Sequence, residues 1–414
     1  MIVIYGCGDG KTQESTTTPV VSTETAPVPH PLEGQMYLKI TFAGVTPEYV
    51  PVEIAKDVIS PSGSDLIKIT TTDARIINLC EFPDGTSGSP LVEFKGEKDT
   101  IRGALSHKLS LVNCDGVKSV MGLVTPIEDM RHGARWKMGA LDQSPLSIDG
   151  LVFTPIGAKN GENTNSSPTP VFKFLKPVAD FSNYLPVPGA PVTFCLIHGD
   201  VTNWCVNGAI TEIKEKEGKK VFLAFGHPIM EWEGATGLTG PVFSAFVHGQ
   251  EFDGRSGSAS QLMSTDTGQI GCVERETFWG ISGDIGGDNC VNTVVEATVI
   301  DVGQKTNTVT KTLTHGIVEH REAWPHLVIR ALIESLWYVV GFEDNYSTIT
   351  IRGSIFHNDL SPTYVDRIFC GMTNLGQVLE YILRYNNAGD QPKKIQLVIT
   401  RDPLGVCSQP GSLG

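Results

Sequence analysis

The chain has 414 residues, 40% of them hydrophobic, and its 32 Lys and Arg against 46 Asp and Glu leave a net charge of −14 at pH 7. That length has room for two or three domains, and 44 Gly with 25 Pro favour a turn-rich, mainly β protein over a helical bundle. The acidic balance excludes a basic nucleic-acid footprint and disfavours anionic lipid, and no apolar run approaches the ~18 residues of a membrane-spanning helix.

Ile4-Tyr5-Gly6-Cys7 resembles the end of a bacterial lipoprotein signal, where a small residue precedes the Cys that becomes lipidated. The apolar stretch before it is short and lacks a basic start, so either the true start lies upstream or the match is accidental. Residues 15–31, rich in Thr, Pro, Ser and Val, read as an extended tether that would hold a domain off a membrane surface. Gly10-Lys11-Thr12 is not a phosphate loop, because the required first Gly falls on Tyr5. Residues 1–34 are thus a signal remnant and tether.

From residue 35 the pattern is one of short strands at 36–42, 49–55, 66–70 and 75–79, separated by turns such as Ser60-Pro61-Ser62-Gly63. A strand at 90–94 and its return at 100–105 follow, then one at 120–124. Thr125-Pro126-Ile127-Glu128 predicts a helix start, with Thr125 as cap and Pro126 at the first position. Together 35–145 read as a first antiparallel barrel. Residues 146–190 read as a linker, with a Asn/Gly/Ser/Thr/Pro loop at 160–170. A second barrel is expected over 191–290: a strand at 192–197, a hairpin of 208–213 and 220–225, strands near 241–248 and 258–264, and a glycine-rich segment at 280–287. The remainder, 291–414, reads as an α+β accessory region with helices at 325–340 and 374–385 and strands near 292–301, 308–315, 348–356 and 395–400. Its Trp324, Trp337 and Tyr338 read as core.

Nine cysteines stand at 7, 80, 114, 195, 205, 272, 290, 370 and 407, with no C-x-x-C pair to suggest a zinc or thioredoxin-type site. Without Cys7 the other eight suit either disulfides in an exported protein or buried thiols in a reducing compartment, and spacing does not choose among the pairings.

The chemistry centres on Gly85-Thr86-Ser87-Gly88-Ser89-Pro90. A Ser between glycines on a sharp bend presents its hydroxyl. Gly85 can take φ > 0, and the amides of Gly85 and Ser87 can form an oxyanion hole. Ser89 occupies the wrong position in the turn for attack. A serine nucleophile needs a base, and His227, held between Gly226 and Pro228 at the end of an apolar strand, stands out among ten histidines. No cofactor or metal site is expected.

Gly85-Thr-Ser-Gly-Ser-Pro90, Gly122-Leu-Val-Thr-Pro-Ile-Glu128 and Ala224-Phe-Gly-His-Pro228, in that order, resemble the SpoIVB-type serine peptidase family. The lead-in at 38–45, Val52-Glu53-Ile54, Ser64-Asp65-Leu66-Ile67 and the G-I-x-G run Gly280-Ile281-Ser282-Gly283 resemble it too, so the likeness spans roughly residues 35 to 290. It implies two trypsin-like β-barrels and cleavage of peptide bonds, with Ser87 as nucleophile and His227 as general base. Ser precedes His here, as in long members of the family. That order is compatible with barrels exchanged along the chain, because a triad is a matter of geometry. Asp73 matches an acid upstream of the serine motif and is the expected orienting carboxylate, with Asp266 and Glu276 as the other candidates. Two departures stand out. Thr86 replaces a common Met, and Arg275-Glu276-Thr277 stands where Gln-Asp-Arg is usual. The expected protein is therefore an exported serine endopeptidase acting on protein or peptide substrates. It would meet a membrane only through a lipid on Cys7. A catalytically inactive two-barrel scaffold is the alternative.

Overall fold

The computed structural model describes residues 31–59, 65–96, 98–109, 116–132, 146–148, 151–155, 183–201, 203–229, 238–253, 258–277, 279–287, 290, 292–302, 308–320, 323–341, 347–357, 362–371, 376, 379, 383 and 391–402. The readings for Cys7, for Gly10-Lys11-Thr12, for the tether up to residue 30, for the turn at 60–63 and for the loop at 160–170 lie outside these residues. So does most of the helix expected at 374–385.

Alternating apolar positions build the first sheet from β1 (Met36–Ile40), β2 (Glu48–Pro51), β3 (Glu53–Ile59), β4 (Asp65–Thr71), β5 (Pro90–Glu93), β6 (Thr100–Leu109) and β7 (Val120–Pro126). They run in the order β2-β1-β5-β6-β7-β4-β3. Only Val52 separates β2 from β3, so one chain segment supplies both edges and the sheet nearly closes on itself. Leu38, Ile40, Val50, Ile69, Leu91, Leu105 and Val124 share its core with Phe82, each contributing roughly 1.5–3 kcal/mol by leaving water. β9 (Leu151–Pro155) pairs with β6 and with β8 (Leu146–Ile148), so this sheet continues into the stretch read as linker.

Three local expectations are corrected. Tyr338, read as core, is exposed on the helix Trp324–Val340. Residues 75–79 are not a strand: Ala74–Ile77 form the short helix α1, whose first turn is closed by the Asp73 side chain accepting from the Arg75 amide. The helix expected from Thr125 begins at Ile127 (α2, Ile127–His132), and the Thr125 hydroxyl donates to the Gly226 carbonyl across to the other barrel.

The second sheet contains β10 (Pro191–Gly199), β11 (Trp204–Lys216), β12 (Lys219–Ala224), β13 (Gly240–Asp253), β14 (Ser258–Thr277) and β15 (Gly280–Ile285). The path β11-β12-β15-β14-β13-β10 returns to β11, a closed six-stranded barrel. β17 (Thr308–Val318) pairs with β10 and carries the same sheet onward through β16 (Asn292–Val302), β20 (Lys394–Asp402), β18 (Thr348–Phe356) and β19 (Thr363–Cys370). Helix α3 (Trp324–Val340) places Leu327, Val328 and Leu332 in the same core as Val295 and Val299 of β16 and Val192 and Phe194 of the barrel. The fold is thus mainly β, with two barrel-like sheets followed by an α+β region that shares its core with the second. β19 was not anticipated. Disulfides join Cys195 to Cys205 across β10 and β11, and Cys272 to Cys290; Cys80 and Cys370 are disulfide-bonded as well.

The far part of the β13–β14 hairpin reaches the first barrel. Val247 and Gly44 exchange backbone hydrogen bonds of 2.7 and 2.9 Å, and Asp84 is bonded to Ala259 and Gln261, each at 2.8 Å. Beneath this arm the buried Lys108 ammonium lies 2.9 Å from Glu81 and 2.7 Å from Asp84, and Glu81 also accepts from the Ala259 amide.

Candidate active site

The serine turn is built by its own backbone. The Thr86 hydroxyl donates to the Pro83 carbonyl at 2.7 Å, the Ser89 amide donates to the Thr86 carbonyl at 3.0 Å, and Gly85 takes φ 96° as expected. The turn then docks on the second barrel. The Ala209 amide donates to the Ser87 carbonyl at 2.7 Å and the Thr211 hydroxyl to the Gly88 carbonyl at 2.8 Å. No side chain fits at Gly88, where a Cβ would stand 2.3 Å from the Ala209 oxygen. A Met at position 86 would lack the hydroxyl that Thr86 donates to Pro83.

The histidine turn begins where β12 ends. Phe225 (φ 73°) and Gly226 (φ 68°) are two successive left-handed residues, and they swing His227 back toward the first barrel. For Phe225 that conformation costs roughly 1–2 kcal/mol. Its buried ring lies against Gly208, where a Cβ would come within 2.6 Å of it. β15 backs the turn through Gly280, the first residue of the G-I-x-G run.

These two turns bring Ser87 and His227 together: Ser87 Oγ lies 2.6 Å from His227 Nε2. The tautomer follows from the other ring nitrogen. His227 Nδ1 stands 2.7 Å from the Pro228 carbonyl oxygen, which can only accept, so Nδ1 carries the proton. In the neutral ring Nε2 is then a bare lone pair facing the hydroxyl, the form a general base requires. Ser87 Oγ also lies 2.5 Å from the Phe225 carbonyl oxygen, so one hydroxyl proton faces two acceptors. Among the described residues neither the Gly85 nor the Ser87 amide is taken up by an acceptor, which leaves both donors for an oxyanion. Ser87 is 1% exposed and His227 8%. His107 on β6 adds a second imidazole: burial, and then the nearby His227, push its pKa down to about 3. A Ser106 hydroxyl lies 2.9 Å from its Nδ1.

Of the carboxylates, Asp73 is not brought to the ring. It caps α1 and takes Nε and Nη2 of Arg75 at 3.0 and 2.8 Å. Burial opposes its ionisation, but the hydrogen bonds and charge of Arg75 outweigh that and hold the carboxyl below its usual range. Asp266 lies on β14, with its side chain outside the described residues. Glu276, also on β14, is 1% exposed, and its Oε1 accepts from the Ile229 amide at 2.5 Å, two residues beyond His227. Residue-type patterns did not reveal the carbonyls of Phe225 and Pro228, since every residue carries one; only the proximity of Pro228 to His227 hinted at a role. His107 was equally silent in the sequence. No family model, curated protein or solved structure matches the chain.

Proposed function

We propose that the chain is a SpoIVB-type serine endopeptidase. Ser87 Oγ bonds to the scissile carbonyl carbon while His227 Nε2 takes its proton, and the Gly85 and Ser87 amides receive the oxyanion. The imidazolium returns the proton to the amine as the peptide C–N bond breaks, leaving an acyl-enzyme. Water, deprotonated by the same ring, then releases the acid. The observation that carries this reading is the 2.6 Å contact between Ser87 Oγ and a His227 ring whose Nδ1 is already anchored as a donor. The Ser-before-His order and the three motifs agree with the family resemblance. The disulfides suit an oxidising, extracytoplasmic setting, with Cys7 as a lipid anchor.

A specific observation favours the other reading, a two-barrel scaffold without turnover: Ser87 is buried. On the peptidase reading a substrate carbonyl reaches it only after covering segments withdraw. The β13–β14 arm, whose Gln261 and Met263 lie against Gly85, is one of them. Covalent labelling by a fluorophosphonate decides between the two. A peptidase labels in the full chain, and labelling disappears in Ser87→Ala and His227→Ala. A folded chain that never labels favours the scaffold.

A further inference from the structure

The Pro228 carbonyl that accepts from His227 Nδ1 and the Ile229 amide that donates to Glu276 Oε1 belong to the same peptide group. The two contacts measure 2.7 and 2.5 Å, so ring, peptide and carboxyl form one chain of hydrogen bonds. We propose that Glu276 is a positioning residue that acts on His227 through this single peptide unit, filling the place of a triad acid at one remove. The inference rests on the peptidase reading for its catalytic meaning, although the contact itself does not.

The physical argument has two parts. When the Ile229 N–H donates to the Glu276 carboxyl, electron density shifts toward the carbonyl oxygen of that peptide, which then accepts more strongly from Nδ1–H. This holds the ring in the tautomer that leaves Nε2 unprotonated toward Ser87. The carboxyl is bonded to the peptide on the Nδ1 side of the ring, opposite the Nε2 that meets Ser87, and its ionised form would favour the imidazolium formed as the hydroxyl loses its proton. Glu276 is 1% exposed and Ile229 5%, so water screens neither contact well. Near His227 lies the His107 ring on β6, whose pKa burial lowers, while the Glu276 carboxyl on β14 meets the Ile229 amide two residues along the chain. In a triad of the usual form the acid touches Nδ1 directly. Here a backbone carbonyl occupies that position, and Glu276 stands directly behind it.

Glu276→Gln retains an oxygen for the Ile229 amide and removes the charge. The test is a nitrogen-15 histidine titration of the full chain in a Ser87→Ala background, with and without Glu276→Gln. The expected result is a His227 midpoint lower by roughly one pH unit, a tenfold loss of proton affinity. In chains that keep Ser87, Glu276→Gln should slow fluorophosphonate labelling and move its acid limb to lower pH, whereas a purely structural role slows labelling without moving the limb. If Glu276→Gln does not fold, the carbon-13 carboxyl resonance of Glu276 in the otherwise unaltered chain answers the question: it should shift with the midpoint of His227. An unchanged His227 midpoint in the variant, or a Glu276 resonance indifferent to His227, overturns the relay. Absence of labelling in the parent chain would remove the peptidase reading instead, and the titration would still decide the relay.

Discussion

A Cβ on Gly88 would stand 2.5 Å from the Phe225 amide nitrogen, so the serine turn of one barrel and the histidine turn of the other meet backbone against backbone. No side chain lies between them to absorb an error. Gly88→Ala must push the turns apart, and φ 87° is itself unfavourable for alanine. The expected result is loss of fluorophosphonate labelling by tenfold or more, with a stability loss of about 2 kcal/mol in denaturant unfolding. Circular dichroism of the folded variant should match the parent. Undiminished labelling would show that the contact does not set the Ser87–His227 geometry.

Asp73 caps α1 and pairs with Arg75 rather than with His227. Asp73→Ala should therefore leave labelling at the parental rate while lowering stability by about 1 kcal/mol, the ordinary cost of a lost cap. Because Arg75 holds its folded carboxyl below the usual range, its contribution is present above the unfolded pKa and fades as pH falls through the folded one. The parent and variant unfolding curves should then converge in acid. Loss of labelling in this variant would return Asp73 to the catalytic group.

Lys108, fully buried, ties Glu81 and Asp84 beneath the β13–β14 arm. Lys108→Met leaves the buried Glu81 carboxylate, and the partly exposed Asp84, without that ammonium, and stability should fall by roughly 3 kcal/mol. Glu81 also holds the Ala259 amide, so amide hydrogen exchange at 259 and 261 should accelerate more than elsewhere in β14. Uniform exchange along β14 would separate the ion cluster from docking of the arm.

Burial, and then the nearby His227, push the His107 pKa down from 6.5 to about 3 in the folded chain. The unfolded chain therefore binds more protons between those values, and the His107 contribution to stability is lost progressively as pH drops from about 6.5 toward 3. His107→Gln should flatten the pH dependence of unfolding over that window. A slope identical to the parent would place the proton uptake elsewhere.

Much of the architecture was legible in the chain. Alternating apolar residues announced most strands, and the glycines and prolines around Ser87 and His227 announced two sharp turns, because such backbone angles exclude most side chains locally. Where neighbours competed, sequence misled. Ile76 and Ile77 suit a strand, yet Asp73 closes a helical turn over them. Thr125 suits a cap, yet its hydroxyl reaches the Gly226 carbonyl.

The chain by itself determined that a hydroxyl and an imidazole would each be presented on a strained bend. Tertiary structure alone decided that these bends meet, which ring nitrogen is anchored, and which carboxyl stands behind the anchor. Glu276 owes its inward position to the pairing of β14 with β15, where the register shifts between Val273 and Arg275. A one-residue slip in a strand turns every side chain to the opposite face. That register is settled by the whole barrel closing, so no local run of residues encodes it.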